Sequence, residues 1–255
     1  MILTVDIGNS NIVFTIFKNK ELFKKWRIIT DKNKSKDEYS MVIKQLMKTD
    51  EISSDEIEGI VISSVVPEIT TIFKEALSFL NVKILVVGDK SVKTNLDMDP
   101  NILSEVGSDI MMNIVGGKKR FKENFVIIDM GTATTFDIAL KDGYYVSSII
   151  TPGIAMFNHG LHNSCSQLPL VEVKRPDKFL GKNTSDAIKS GVYYGYIGMI
   201  KEIISNIKEE FKDINLKFYI TGGLSVVFLR DLDVIDGIAP DLTCEGLQEV
   251  WYMNN

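Results

Sequence analysis

VDIGNSNIVFTIFKNKELFKKWRII (residues 5–29) and IDMGTATTFDIALKDGYYVSSII (residues 128–150) are two versions of one pattern. Each opens with an apolar strand that ends in Asp-x-Gly, at Asp6 and Gly8 in the first and at Asp129 and Gly131 in the second. A short turn of small polar residues follows, then a β-branched strand, a second turn (Lys18 to Lys20; Lys141 to Gly143) and a third strand. Alternating and β-branched runs bounded by such turns predict antiparallel meanders. Two unrelated meanders can look alike, but a shared Asp-x-Gly at the same hairpin points to an internal duplication.

Outward from each meander the pattern changes to helix alternating with strand. Residues 37–47 carry apolar side chains at helical spacing, with Ser35 or Asp37 as the N-cap. GIVISSVV (59–66) is a continuous apolar run, as expected of a strand buried on both faces. A helix over 68–80 and a strand over 83–87 complete this half, and a further helix begins around Ser104. After the second meander, residues 185–211 predict one long helix, and 216–221 a strand ending in Gly222-Gly223. The fold class expected is α/β: two similar halves, each a mixed sheet flanked by helices, with a cleft between them. A boundary near Gly116-Gly117 divides the chain into residues 1–117 and 118–255, each able to bury its own core.

Bulk properties exclude several classes of function. The net charge of −5 and a pI near 5.2 argue against general nucleic-acid binding, which needs a basic face. The one basic cluster, Lys118, Lys119 and Arg120, reads as a solvated helix end. Two cysteines far apart, Cys165 and Cys244, have no C-x-x-C partner and suit a reducing compartment. His159 and His162 share a helical spacing, but no Cys or Glu completes a zinc pattern, so they read as exposed helix polarity. The start MILTVDIG lacks the features of a signal peptide and no apolar run is long enough to span a bilayer, so a cytoplasmic protein is expected.

The turns carry the chemistry. Gly8 in Asp6-Ile7-Gly8-Asn9-Ser10-Asn11 lets the backbone approach a ligand closely, and the polar residues after it offer donors to phosphate oxygens. A carboxylate at the strand end is placed to hold a hydrated cation that the phosphates also touch. Asp129 to Thr135 repeats this logic, although Thr132, Thr134 and Thr135 are also good strand formers. Thr221-Gly222-Gly223-Leu224 permits close approach of a base or ribose. Neither a Walker A motif nor a G-x-G-x-x-G after a strand is present. In Glu105-Val106-Gly107-Ser108-Asp109, the carboxylate of Asp109 reads equally as a helix cap and as a base for a substrate hydroxyl.

The order and wording of these stretches resemble the actin-like (ribonuclease H-like) ATPase superfamily, and in detail the type III pantothenate kinases. The resembling stretches are DIGNSN (6–11), WRI (26–28), DEY (37–39), ISSVVP (62–67), EVGSD (105–109), DMGTATTFD (129–137), TPGI (151–154), GKNTSDAIKSG (181–191), TGGL (221–224) and PDLTCEGL (240–247). The resemblance implies ATP-dependent phosphorylation of pantothenate to 4′-phosphopantothenate, the first step of coenzyme A biosynthesis, by a homodimer. It implies Mg²⁺ and a monovalent cation, K⁺ or NH₄⁺, as cofactors. Asp6, Ile7, Gly8, Asn9, Ser10, Asn11, Ile12 and Val13 would bind ATP, with Gly131, Thr132, Gly222 and Gly223. Asp109 would accept the proton, and Asp129 would hold the monovalent cation. Gly107, Ser108, Asp109, Ile110 and Thr184 would line the acceptor site, Thr184 doubling as N-cap of the helix after it.

Two departures touch the acceptor site. The family motif reads G-A-D-R where this chain has Gly107-Ser108-Asp109-Ile110, and a family Tyr falls at Pro100. They leave two alternatives beside the kinase reading: a nucleotide-binding paralogue or regulator without turnover, and a kinase for another small hydroxylated acceptor.

Overall fold

The computed structural model describes residues 1–102 and 105–255. Two compact units emerge, residues 1–120 with 242–255, and residues 121–241.

In the first unit the meander is β1 (Ile2–Ile7), β2 (Asn11–Lys18) and β3 (Glu21–Ile29). It is followed by α1 (Lys36–Thr49), β4 (Gly59–Ser64), α2 (Pro67–Ala76), β5 (Lys83–Val86), the two-residue β6 (Asp97–Met98) and α3 (Ser108–Arg120). The start expected around Ser104 lies outside the described residues. Strand order is β3-β2-β1-β4-β5, with β1 antiparallel to β2 and parallel to β4. Ser35 caps α1: its hydroxyl accepts from Glu38 N–H while the Glu38 carboxylate accepts from Ser35 N–H. The sheet is buried on both faces because successive side chains alternate. Leu3, Val5, Ile7, Ile60 and Ile62 join the core that includes Tyr39, Ile43 and Phe73 of α1 and α2. Ile2 and Val61 point the other way, into a core made with Met111, Met112 and Val115 of α3 and Leu247, Val250 and Trp251.

The second unit repeats the design. It holds β7 (Asn124–Met130), β8 (Ala133–Ala139), β9 (Tyr144–Pro152), α4 (Ile154–Ser164), α5 (Thr184–Glu210), β10 (Leu216–Thr221), α6 (Ser225–Phe228) and β11 (Gly237–Ile238). Within this unit β9-β8-β7-β10-β11 matches β3-β2-β1-β4-β5 strand for strand, including the antiparallel and parallel pairings. Even the register shifts correspond, between Ile16 and Phe17 in β2 and between Ile138 and Ala139 in β8. The duplication expected from the two Asp-x-Gly meanders is therefore present in the backbone.

Division of the chain differs from the expected one in two places. Gly116-Gly117 lies inside α3 rather than at a boundary, and the last helix, α7 (Leu242–Met253), belongs to the first unit. The reason is packing. A Cβ on Gly116 would meet Leu242 O at 2.4 Å, and one on Gly246 would meet Met112 O at 2.0 Å, so α3 and α7 cross backbone to backbone. Further along α7, the Trp251 ring occupies the space a Gly59 side chain would fill, with a Cβ there only 1.8 Å from the ring. Lys119 and Arg120 extend the contact by pairing with Glu249 at 2.5 Å and Glu245 at 3.3 Å. The basic cluster at the end of α3 is thus partly paired with α7 rather than simply solvated.

Replacing Gly246 tests this crossing. Gly→Ala in a helix interior gains about 1 kcal/mol in propensity. Here the methyl would drive into the Met112 carbonyl, and overpacking of that kind costs roughly 1–3 kcal/mol. Gly246→Ala should therefore lower the denaturant midpoint, whereas a rise would show that the helices have room to separate.

Candidate active site

The first unit builds one set of candidate residues around the ends of β1 and β4. Asp6 sits in β1 opposite Val13 of β2 and Ser63 of β4. Beyond it the chain turns: Gly8 N–H donates to Asn11 O at 3.0 Å, and Thr30 clasps the turn, its hydroxyl donating to Gly8 O at 2.6 Å and its N–H to Ser10 O at 3.0 Å. Asn9 and Ser10 are exposed at the tip, while Ile7 and Ile12 are fully buried. Of the expected nucleotide contacts, those two isoleucines are core residues and have only backbone to offer a ligand.

Parallel pairing of β1 with β4 brings ISSVVP beside this turn, where Val65 N–H donates to Ile7 O at 3.0 Å. The N-terminus of α3 docks onto the same strand end through Ser108. Asp109 follows in the first turn of α3, its carboxylate accepting from Ile110 N–H at 2.8 Å. Gly107 makes room for this, since a Cβ there would lie 2.5 Å from Asp109 Oδ1. Burial raises the proton affinity of Asp109 above that of an ordinary carboxylate, and the hydrogen bonds from Ile110 N–H and its own N–H only partly offset it. Ile110, where the family motif has Arg, is 8% exposed and presents almost no surface to a ligand.

In the second unit Asp129 precedes the corresponding turn, where Gly131 N–H donates to Ala133 O at 3.1 Å. Register places Thr221 beside Asp129 in the parallel neighbour β10. The chain then doubles back at Gly222, whose φ of +92° and whose space, where a Cβ would lie 2.6 Å from Met130 O, admit no side chain. Gly131, Thr132, Gly222 and Gly223, named from two separate stretches, thus belong to one cluster with Asp129. Gly153 joins them: a Cβ there would meet Thr132 O at 2.3 Å and Gly131 O at 2.4 Å. Beneath the turn, the hydroxyls of Thr134 and Tyr196 share a hydrogen bond of 2.7 Å. Burial, with the nearby charge of Asp129, keeps the Tyr196 phenol protonated. In the sequence nothing in the long helix over 185–211 sets Tyr196 apart from Tyr193 and Tyr194 beside it.

Thr184 opens α5, but it is not the cap. Asn183 takes that role, its side chain accepting from Asp186 N–H at 2.9 Å, which leaves Thr184 exposed on the first turn. Gly181 lets the preceding loop close on the helix, a Cβ there lying 2.3 Å from Ala187 N. Some resembling stretches prove structural: Trp26 Nε1 donates to Asp50 at 2.6 Å, and the buried Tyr39 donates to Asp31 O at 2.6 Å. His159 and His162 are exposed on α4, as expected.

Comparison with known proteins gives this geometry its context. Residues 2–206 match the family described as type III pantothenate kinase. The chain belongs to the type III pantothenate kinase family. A type III pantothenate kinase of Geobacter sulfurreducens is 35% identical over 255 residues, covering 100% of this chain and 99% of the relative. Among solved structures, a Campylobacter jejuni protein assigned to the Baf family of transcriptional activators superposes with a TM-score of 0.59 at 21% identity, covering 99% and 98% of the two chains. The activator of the 2-hydroxyisocaproyl-CoA dehydratase from Clostridium difficile, with bound ADPNP, gives 0.56 at 13% identity, covering 98% and 96%. These structural likenesses establish the fold, the duplicated actin-like α/β architecture.

The reassigned cap yields a prediction about Thr184. Asn183→Ala should lower stability by about 0.5–2 kcal/mol, the usual effect of removing an N-cap. Thr184→Ala should leave the melting temperature unchanged and weaken acceptor binding if the hydroxyl serves a ligand. A larger thermal effect at Thr184 than at Asn183 would reverse the assignment.

Proposed function

We propose that the protein transfers the γ-phosphoryl group of ATP to the primary hydroxyl of pantothenate, with Asp109 as the proton acceptor. The observation that carries this reading is the Asp109 carboxylate itself. It is fixed at the start of α3, and burial tunes it toward holding a proton. In the reaction the pantothenate hydroxyl oxygen bonds to the γ-phosphorus, the bond from that phosphorus to the β,γ-bridging oxygen breaks, and ADP leaves. The hydroxyl proton passes to Asp109. Full-length identity with a type III pantothenate kinase supports pantothenate as the acceptor. With its side chain buried, Ile110 gives no support to either alternative reading.

The turns after Asp6 and Asp129 would bind the phosphates through backbone N–H groups, and Gly222-Gly223 would take the adenosine side. Among the described residues no group of three His, Cys, Asp or Glu could hold a metal. Mg²⁺ fits this donor set only as an ion carried largely by phosphate and water, with Asp6 as a single protein ligand. Asp129 would likewise hold a monovalent cation beside the phosphates. These ions would supply charge neutralisation for the transferring group.

We also propose a homodimer formed through α4 and α5. An apolar cavity of about 350 Å³ lies there, lined by Met156, Phe157, Leu161, Gly191 and Val192 among others. Gly191, Gly195 and Gly198 of α5 have open space where side chains would stand. Such a surface suits a second copy of the same helices. Sedimentation should give twice the chain mass, and Gly191→Glu should give the monomer.

The decisive assay is release of ADP with and without pantothenate and K⁺. Release should require both, and equal rates in potassium and in a large organic cation would count against the role of Asp129. Asp109→Asn should reduce transfer roughly 10²–10⁴-fold, the usual contribution of a positioned base, with ATP binding intact. Since the base must be ionised, kcat/KM of the unaltered protein should fall on the acid side at a pH above the ordinary Asp value of about 3.9. Near-normal turnover in Asp109→Asn would remove Asp109 from the mechanism.

A further inference from the structure

The hydroxyl of Ser108 sits immediately before the candidate base. It donates to Ser64 O at 3.0 Å, and it accepts from Ser64 N–H at 3.0 Å and from the Ser63 hydroxyl at 2.9 Å. A serine hydroxyl has one proton to donate and two lone pairs to accept with. All three are used. Ser108 therefore has no capacity left for a substrate hydrogen bond, although its position beside Asp109 suggests an acceptor contact.

The partners of Ser108 are themselves held. Ser63 is fully buried in β4, one register position from the end of the strand and opposite Asp6 of β1. The Ser64 hydroxyl accepts from Val66 N–H at 3.1 Å and from the Thr70 hydroxyl at 2.8 Å, which ties the same strand end to the first turns of α2. Two hydroxyl pairs, Ser63 with Ser108 and Ser64 with Thr70, are thus linked through the Ser64 backbone and join β4, α2 and α3 at one point. Each member is a short side chain with few rotamers, so the network transmits position rather than absorbing displacement.

We infer that Ser108 is a positioning residue for phosphoryl transfer, clamping the N-terminus of α3 to the end of β4 so that the Asp109 carboxylate meets the acceptor hydroxyl. The inference rests on Asp109 being the base. Placement of reacting groups is where small displacements matter most: an error of about 1 Å can lower a rate by about 10²-fold. Binding of ATP or of the acceptor needs no such tolerance and is carried by other residues.

Steady-state kinetics of Ser108→Ala, Ser108→Thr and Asp109→Asn, each with a thermal melt, separate the possibilities. Ser108→Ala should lower kcat by about ten- to a hundredfold while leaving the KM for ATP and for pantothenate close to wild type. Ser108→Thr, which keeps the hydroxyl, should restore most of kcat. Should Ser108→Ala fail to fold, Ser63→Ala removes one donor to the clamp and should lower kcat by a smaller factor with KM unchanged. An unaltered kcat in the folded Ser108→Ala or Ser63→Ala protein overturns the clamp. So does a raised KM for pantothenate with kcat intact, which would make Ser108 a substrate contact. An active Asp109→Asn overturns the base assignment instead, whatever Ser108 does.

Discussion

At Gly116 and Gly246, α3 and α7 meet without side chains between them, each glycine lying where a methyl would strike the carbonyl of the other helix. The last helix of the chain is thereby held against the first sheet, with Trp251 seated over Gly59 of β4. One consequence is the core on that face of the sheet, where Met111, Met112 and Val115 pack with Leu247 and Val250. The other consequence concerns Asp109, which rides on the first turn of α3. Its distance from the strand ends is set at one end by this helix crossing and at the other by the Ser108 hydrogen bonds. A helix fixed at both ends holds the Asp109 carboxylate in its partly buried place.

The two units use glycine differently, and the difference follows from what each turn must approach. Gly8 faces only the loop's own carbonyl, with Asn11 O at 3.1 Å from an added Cβ. In the second unit Gly153 and Gly222 are pressed against the backbone of Gly131, Thr132 and Met130. Three chain segments, distant in sequence, therefore converge on one turn with no side chains between them. Backbone packed that closely is rigid, and its N–H groups keep their directions. Preorganised donors of this kind are what a phosphate oxygen rewards, since no reorientation is needed when it arrives.

Much of this was legible in the sequence because the signals were periodic or repeated. The meanders declared themselves through alternation and paired Asp-x-Gly, and the apolar run 59–66 correctly implied a strand covered on both faces. Cap chemistry was half readable at the start of α1, where Ser35 and Asp37 were both candidates and the reciprocal bonds with Glu38 decide for Ser35. It misled at Thr184, because Asn183 and Thr184 are both competent caps and only backbone geometry decides between them. The path of the last helix was hidden for a different reason. Gly116 and Gly246 are 130 residues apart, and a glycine that permits helix contact looks the same in sequence as one that ends a helix. Nor could spacing reveal that the Ser108 hydroxyl is consumed, since its partners Ser63 and Ser64 lie on a different element. Pairwise contacts across long separations are what a single sequence conceals.

Charge presents a last constraint. The chain carries a net −5, and both proposed substrates are anions. The overall field opposes their approach, although screening confines that effect to about 8–10 Å at physiological salt. Binding must then be local, through turn N–H groups, helix N-termini and cations that travel with the phosphates. A phosphate oxygen brought to the turn after Asp6, or to the one after Asp129, would need a cation between it and that carboxylate. Asp109, by contrast, is partly buried, and among the described residues its carboxylate accepts from N–H donors. Its raised proton affinity then becomes useful. As the proposed base, Asp109 would lose its charge on accepting the hydroxyl proton, beside a phosphoryl group that is still negative. Burial disfavours the ionised carboxylate and favours the neutral acid, so in that role the same desolvation that destabilises the resting base would help draw the proton across.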